Sequence, residues 1–249
     1  MSWKHALVTG GNSGIGRAIA LAFANEGIDV TICGRREDKL AEVAAESDLI
    51  HALAADVTDE TSVAALYEKA ESARGPFDIV VANAGIASSA PAHRTSLEEW
   101  NRIISVNLTG AFLTVRPALK GMADRKAGRI IFIASVAGLR GSAYVAPYVA
   151  SKHGVVGLTR ALAAELLMTG VTVNAICPAY VETEMLEQSI QRVMEKTGRS
   201  EEEARQGFRE INPNHRLIKP EEVAATASWL ISDAAINVTG QPIAISGGS

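Results

Sequence analysis

Ala6-Leu7-Val8-Thr9-Gly10-Gly11-Asn12-Ser13-Gly14-Ile15-Gly16 decides the architecture. Its first residues form an apolar run short enough for a buried strand. Its last residues open a helix whose apolar positions continue through Ile19, Ala20 and Phe23. Glycines between the two allow a tight turn and close backbone approach, and the helix start offers free N–H groups to a pyrophosphate. The spacing is Gly-x-x-x-Gly-x-Gly, and no Gly-Lys-Ser follows that would make an ATP-binding loop. Strand, glycine turn and helix in this order predict a dinucleotide site built on Gly10, Asn12, Ser13, Gly14, Ile15 and Gly16.

The same rhythm runs through the rest of the chain. Strands are expected at His5 to Thr9, Asp29 to Cys33, Leu49 to Ala54, Asp78 to Ala82, Arg129 to Ala134, Thr172 to Cys177 and Gln241 to Ile245. Helices begin near Ile15, Glu37, Glu60, Leu97, Pro147 and Glu221. Apolar strands interleaved with helices imply an α/β fold: a Rossmann-type, doubly wound parallel sheet of seven strands with helices on both faces. One catalytic domain is expected over residues 1–249. The rhythm breaks only at about 182–213, where a charged helical insertion reads as a small substrate lid. Gly198 suits the end of one helix there, and Ser200 with Glu203 suits a capping box for the next.

Composition narrows the function classes. The 249 residues are 47% hydrophobic and 21% charged, with net charge −4, which leaves no basic surface of the kind nucleic acid or anionic lipid requires. No apolar run reaches membrane-spanning length, and Met1-Ser2-Trp3-Lys4 leads directly into a strand, so a cytoplasmic protein is expected. Cys33 and Cys177 fall in buried strands and read as structural thiols. The five histidines show no ligand spacing, and no metal is expected.

At the end of the second strand, an acidic residue would accept the ribose hydroxyls of NAD. This chain has Gly34-Arg35-Arg36, whose guanidinium groups match a 2′-phosphate and favour NADP. The other reading makes both arginines a solvated helix start, with Glu37 and Asp38 on the ribose. Asp56, beside Val57, suits the adenine amino group, or else is a turn residue near the cap at Thr58 and Asp59.

Tyr148-Val149-Ala150-Ser151-Lys152 carries the reaction chemistry. On a helix entered through Pro147, positions i and i+4 share a face, so the ammonium can sit beside the phenol and pull its pKa toward neutral. Such a tyrosine exchanges protons near pH 7.

Thr9-Gly10-x-x-x-Gly14-x-Gly16, Asn83-Ala84-Gly85, Asn107, Ser135 and Tyr148-x-x-x-Lys152 together resemble the short-chain dehydrogenase/reductases, from Lys4 to the Ser246-Gly247-Gly248 tail. Ala82 and Ala179 depart from that pattern, where asparagine and glycine are usual. The resemblance implies that Ser135 holds the substrate oxygen and Tyr148 exchanges a proton with it. Lys152 would bind the nicotinamide ribose and lower the tyrosine pKa. Asn107 would hold a water leading to solvent, a role that a helix-kink residue could combine with satisfying backbone groups. Asn83, Ala84 and Gly85 would shape a turn against the cofactor. Pro178, Val181 and Thr183 would form the nicotinamide loop, with the Val181 backbone on the carboxamide and Thr183 on the phosphates. A homotetramer is implied too, and Ala161, Ala163 and Ala164 give one helix a small-residue flank.

Local likeness extends to the 3-oxoacyl-thioester and polyketide ketoreductases. Val136, Leu139, Tyr144, Tyr180, Met185 and Leu186 are the expected pocket walls. Arg192, Lys196, Arg199, Arg205 and Arg209 could meet the phosphates of a carrier-bound thioester, or pair with nearby glutamates. Three functions therefore stand: an NADPH-dependent 3-oxoacyl-thioester reductase, an NAD-dependent secondary-alcohol or 3-hydroxyacyl dehydrogenase, and a nucleotide-sensing non-enzyme. The complete Asn107, Ser135, Tyr148 and Lys152 set argues against the last.

Overall fold

A computed structural model describes residues 3–248. Seven strands, β1 (His5–Thr9), β2 (Asp29–Gly34), β3 (Ile50–Ala54), β4 (Ile79–Ala82), β5 (Gly128–Ile133), β6 (Val171–Pro178) and β7 (Pro242–Ile245), form one parallel sheet in the order β3-β2-β1-β4-β5-β6-β7. The order reverses direction between β1 and β4, which leaves a crevice beyond their carboxyl ends. These strands are nearly continuous apolar runs because both faces of the sheet are covered.

Alternation of side chains along each strand divides the core in two. One face packs Leu7, Val80, Phe132 and Ala175 against α3 (Glu60–Arg74), α5 (Gly110–Arg125) and α6 (Ala146–Glu165). The other packs Val8, Ile32, Val81 and Ile176 against α1 (Gly14–Asn25), α2 (Glu37–Ala44) and α9 (Pro220–Ile231). Cys33 and Cys177 are buried free thiols. Among the described residues, no helix is long and apolar enough to cross a membrane.

The helix expected from Leu97 is more complicated than its periodicity suggests. α4 (Leu97–Ile104) passes into a π-helical stretch, Ser105–Thr109, and continues as α5. The Gly110 N–H reaches back to the Ser105 carbonyl. Such π insertions concentrate at functional sites, and this one carries the buried Asn107.

Between β6 and α9, the chain forms α7 (Glu184–Thr197) and α8 (Glu201–Ile211). Thr183 caps α7, and Gly198, at φ 72°, ends it with a left-handed turn open to glycine. Ser200 and Glu203 cap α8 reciprocally. This pair has a small core of its own, Leu186, Ile190, Ala204 and Leu217, with Tyr180, Val193, Met194 and Phe208 packed around it. Because that cluster is separate from the two sheet cores, Ile190→Ala, a cavity of about 2–5 kcal/mol, should loosen α7 and α8 alone. Hydrogen exchange is expected to accelerate in residues 184–211 while the protection of β1, β4, β5 and β6 stays unchanged.

Candidate active site

The crevice is built from the glycine turn upward. Gly10 and Gly14 take positive φ (65° and 51°), the region that favours glycine, and a Cβ on Gly16 would lie 2.3 Å from the Gly10 carbonyl oxygen. Side chains then tie this turn to β4. The Thr9 hydroxyl accepts from the backbone N–H groups of Asn83 (3.0 Å) and Ala84 (3.1 Å). The Asn83 amide donates back to the carbonyls of Thr9 (2.8 Å) and Gly10 (3.2 Å). Asn83 therefore has a structural task, and the turn it fixes borders a cleft of about 440 Å³.

Gly10, Asn12, Ser13, Gly14, Ile15, Arg35, Arg36, Asp56, Val57, Asn83, Ala84, Gly85 and Thr183 of the expected nucleotide set all line this cleft, as does Met185. Gly16 lies beneath the turn, in contact distance of the Gly10 carbonyl. No acidic side chain stands at the end of β2, where Gly34, Arg35 and Arg36 border the cleft. The concave glycine cradle and this pair of guanidinium groups fit a nicotinamide dinucleotide carrying a 2′-phosphate. Asp56 is partly committed: its Oδ1 accepts from the backbone N–H (2.9 Å) and hydroxyl (2.7 Å) of Thr58. These bonds, more than the nearby Arg35, hold its carboxyl below the usual range. One oxygen thus does the work of a turn residue.

A second, buried cluster adjoins the cleft at Gly85. A Cβ there would come within 3.4 Å of Asn107 Oδ1 and 3.7 Å of Lys152 Nζ. The Asn107 side chain accepts from the Ile86 N–H (2.8 Å) and donates to the Ile86 carbonyl (3.0 Å) and to Ser151 Oγ (3.1 Å). Ser151 in turn donates to the Tyr148 carbonyl (2.7 Å). The π-helical stretch and the start of α6 are therefore joined by side chains. Ser135 Oγ accepts from the Ala137 N–H (3.1 Å), donates weakly to the Pro178 carbonyl (3.3 Å) and bonds the Tyr148 phenol.

The electrostatics of this cluster correct the sequence expectation. Lys152 is bonded to a backbone carbonyl. Its Nζ donates to the Ile133 carbonyl at 2.8 Å and sits 5.6 Å over the Tyr148 ring centroid. Burial dominates both groups. It pushes the Tyr148 phenol up to about 12, against a lowering contribution from the Ser135 hydroxyl. It pulls the Lys152 ammonium down to about 8. Desolvation disfavours whichever form is charged, so the phenol keeps its proton and the ammonium gives up its own more readily than usual.

The remaining expected residues separate. Val181 pairs in parallel with Ile218, and Thr183 brings its methyl group to 3.0 Å from the Cβ position of Gly14. Pro178 ends β6 beside Ser135, and the departure at Ala179 donates its N–H to the Ile245 carbonyl (2.9 Å). Val136 is half-buried, Leu139 is exposed, and Tyr144 is exposed in the left-handed region at φ 66°. The Tyr144 carbonyl accepts from the Ala90 N–H (2.8 Å). Tyr180 packs against Phe208 with the rings tilted and their centroids 4.9 Å apart. Leu186, expected as a pocket wall, is buried with Ile190, Ala204 and Leu217 instead, because α7 turns that face toward α8. Among the cations of α7 and α8, Arg205 pairs with Glu187 and Glu201, and Arg209 with Glu202. Arg192 and Lys196 reach the carbonyls of Ala87 (3.3 Å) and Ser89 (3.4 Å).

Two contributors had no motif to announce them. Asn212, fully buried, accepts from the Tyr180 N–H (3.3 Å) and donates to the carbonyls of Tyr180 (3.2 Å) and Arg216 (2.7 Å), fixing the loop after β6. Glu184 opens α7, lines the cleft and pairs with Arg36. A lone asparagine and a glutamate in a Glu-rich stretch carry no spacing signal.

A nucleotide crevice at the β1/β4 switch point, floored by a buried serine and lysine and a half-buried tyrosine, defines a dinucleotide-dependent oxidoreductase class. The family model described as short chain dehydrogenase matches residues 4–193. The chain belongs to that family. It is 40% identical to the D-beta-hydroxybutyrate dehydrogenase of Cupriavidus necator, over 96% of this chain and 95% of that one. It is 37% identical to the acetoacetyl-CoA reductase of Shinella zoogloeoides, over 98% and 97%. The crystal structure of a variant of actinorhodin polyketide ketoreductase with NADPH superposes with TM-score 0.95 at 38% identity, covering 99% of this chain and 97% of that one.

The two buried shifts have opposite signs with pH. A lysine at about 8 in the folded protein, against 10.5 when unfolded, imposes its full burial penalty below pH 8 and loses it as pH rises to 10.5. Tyr148 stabilises the fold below pH 10 and loses that contribution as pH rises toward about 12. Replacing Lys152 by methionine removes only the first effect. The melting temperature of Lys152→Met relative to wild type should therefore fall between pH 8 and 10.5, whatever its offset at pH 7.

Proposed function

We propose that the chain is an NADPH-dependent reductase of 3-oxoacyl thioesters. The observation that carries this reading is the pairing of a proton-holding Tyr148 with a nucleotide cleft that presents Arg35 and Arg36 at the ribose end. A reductase needs its tyrosine protonated before turnover, and the burial of Tyr148 favours that form. The likeness to an acetoacetyl-CoA reductase and to a polyketide ketoreductase with NADPH supports the substrate class and the cofactor.

In this reading, NADPH supplies the hydride. Ser135 exchanges its long bond to the Pro178 carbonyl for one to the substrate oxygen and holds the carbonyl in place. Tyr148 gives its phenolic proton to that oxygen, completing the hydroxyl. Lys152, leaving the Ile133 carbonyl, stabilises the phenolate that remains, and Asn107 steadies the route by which solvent returns the proton. Gly10, Asn12, Ser13, Gly14, Ile15, Asp56, Val57, Ala84, Gly85, Val181 and Thr183 bind the nucleotide. Val136, Leu139, Tyr144, Tyr180 and Met185 border the acyl chain, and α7 with α8 acts as the lid. Exposed Gly157, Ala161 and Ala164 on α6 support a homotetramer, and the protein is read as cytoplasmic.

The 40% identity to a D-beta-hydroxybutyrate dehydrogenase favours one other reading, an NAD-dependent oxidation of a 3-hydroxyacyl compound. Consumption of NADPH and NADH with a 3-oxoacyl thioester and the matching free ketone separates the two. Thioester-selective NADPH use is expected, with Tyr148→Phe lowering kcat/KM by about 10²–10⁴-fold. Arg36→Ala should raise the KM for NADPH about tenfold while sparing NADH. NADH preference would overturn the cofactor assignment.

A further inference from the structure

We propose that Glu184 tunes cofactor selectivity by competing with the nucleotide 2′-phosphate for Arg36, so that a 2′-phosphorylated nucleotide releases the first turn of α7. The inference rests on the reading of Arg36 as the 2′-phosphate ligand. Arg36 is already engaged: its Nη2 donates to Glu184 Oε2 at 3.0 Å. With the Asn12 amide turned to present its oxygen, that oxygen accepts from Arg36 Nε (3.2 Å) and Nη2 (2.6 Å). One guanidinium therefore joins the glycine turn, the end of β2 and the start of α7, and all three residues line the cleft.

The chemistry of the exchange follows from charge. A phosphate monoester offers nearly two negative charges and three acceptor oxygens, against one charge on a carboxylate, and pairs more strongly with a guanidinium. The ion pair is half-exposed on both sides, at 50% and 51%, so it is a weak competitor and not a block. Nucleotides without a 2′-phosphate have no claim on Arg36 and leave the pair intact. The start of α7 is otherwise held by the Thr183 cap, while the far turns are held by Arg192, Lys196 and the α8 cluster. Loss of the Arg36 bond therefore loosens the N-terminal turn selectively.

Calorimetric titration with 2′,5′-ADP and 5′-AMP tests this. Glu184→Gln should tighten 2′,5′-ADP about two- to fivefold, the range of an exposed ion pair, and leave 5′-AMP unchanged. Arg36→Gln should weaken 2′,5′-ADP alone, and Glu184→Gln should have no further effect in that background. In the wild type, 2′,5′-ADP but not 5′-AMP should speed hydrogen exchange at residues 184–188. If Glu184→Gln shifts both nucleotides equally or neither, while Arg36→Gln still abolishes the preference, the competition is refuted and the NADP reading survives. If the wild type shows no preference for 2′,5′-ADP and Arg36→Gln changes nothing, the NADP reading fails and the competition with it.

Discussion

The bonds among Thr9, Gly10 and Asn83 are the constraint on which the site depends. They join the carboxyl ends of β1 and β4 at the point where the sheet changes direction, and parallel strands have no hairpin to do this for them. Once those ends are fixed, the glycine turn can approach β4 only if the facing positions lack a Cβ. A Cβ on Gly16 would lie 2.5 Å from Asn83 Nδ2, which states that limit in distance. The nucleotide cleft follows from this close approach, and Gly85, the next residue but one after Asn83, brings its floor to Asn107 and Lys152.

Within that floor, burial is stronger than pairwise attraction. Tyr148 and Lys152 are displaced in pKa in opposite directions by the same cause, and Lys152 takes the Ile133 carbonyl as its partner. A phenol that holds its proton this firmly is a weak acid, so the phenolate must be stabilised whenever the proton moves.

Much of this was legible in the sequence because the signals were local. The glycine turn, the seven apolar runs, Gly198 and the Ser200–Glu203 pair each specify backbone conformation within a few residues, and the structure places strands, turn and caps there. Other features depended on distant partners. A helical face identifies Tyr148 and Lys152 as neighbours, yet the ammonium's choice between phenol and carbonyl is set by β5. Leu186 reads as apolar in either setting, and only the packing of α8 decides which way it faces. The π-helical stretch is a single added residue per turn inside a continuous helix, and side-chain periodicity over five residues cannot register it.

The separate core beneath α7 and α8 bears on how such a protein changes over time. Residues 184–211 are folded around a few side chains that the sheet does not share, and they reach the cleft mainly through Glu184, Met185, Gln188 and Arg192. Substitutions in this region can remodel the mouth of the site without taxing the stability of the nucleotide-binding scaffold. A lineage can therefore explore new substrates by exchanging one helical hairpin, while the machinery for hydride and proton transfer is inherited intact.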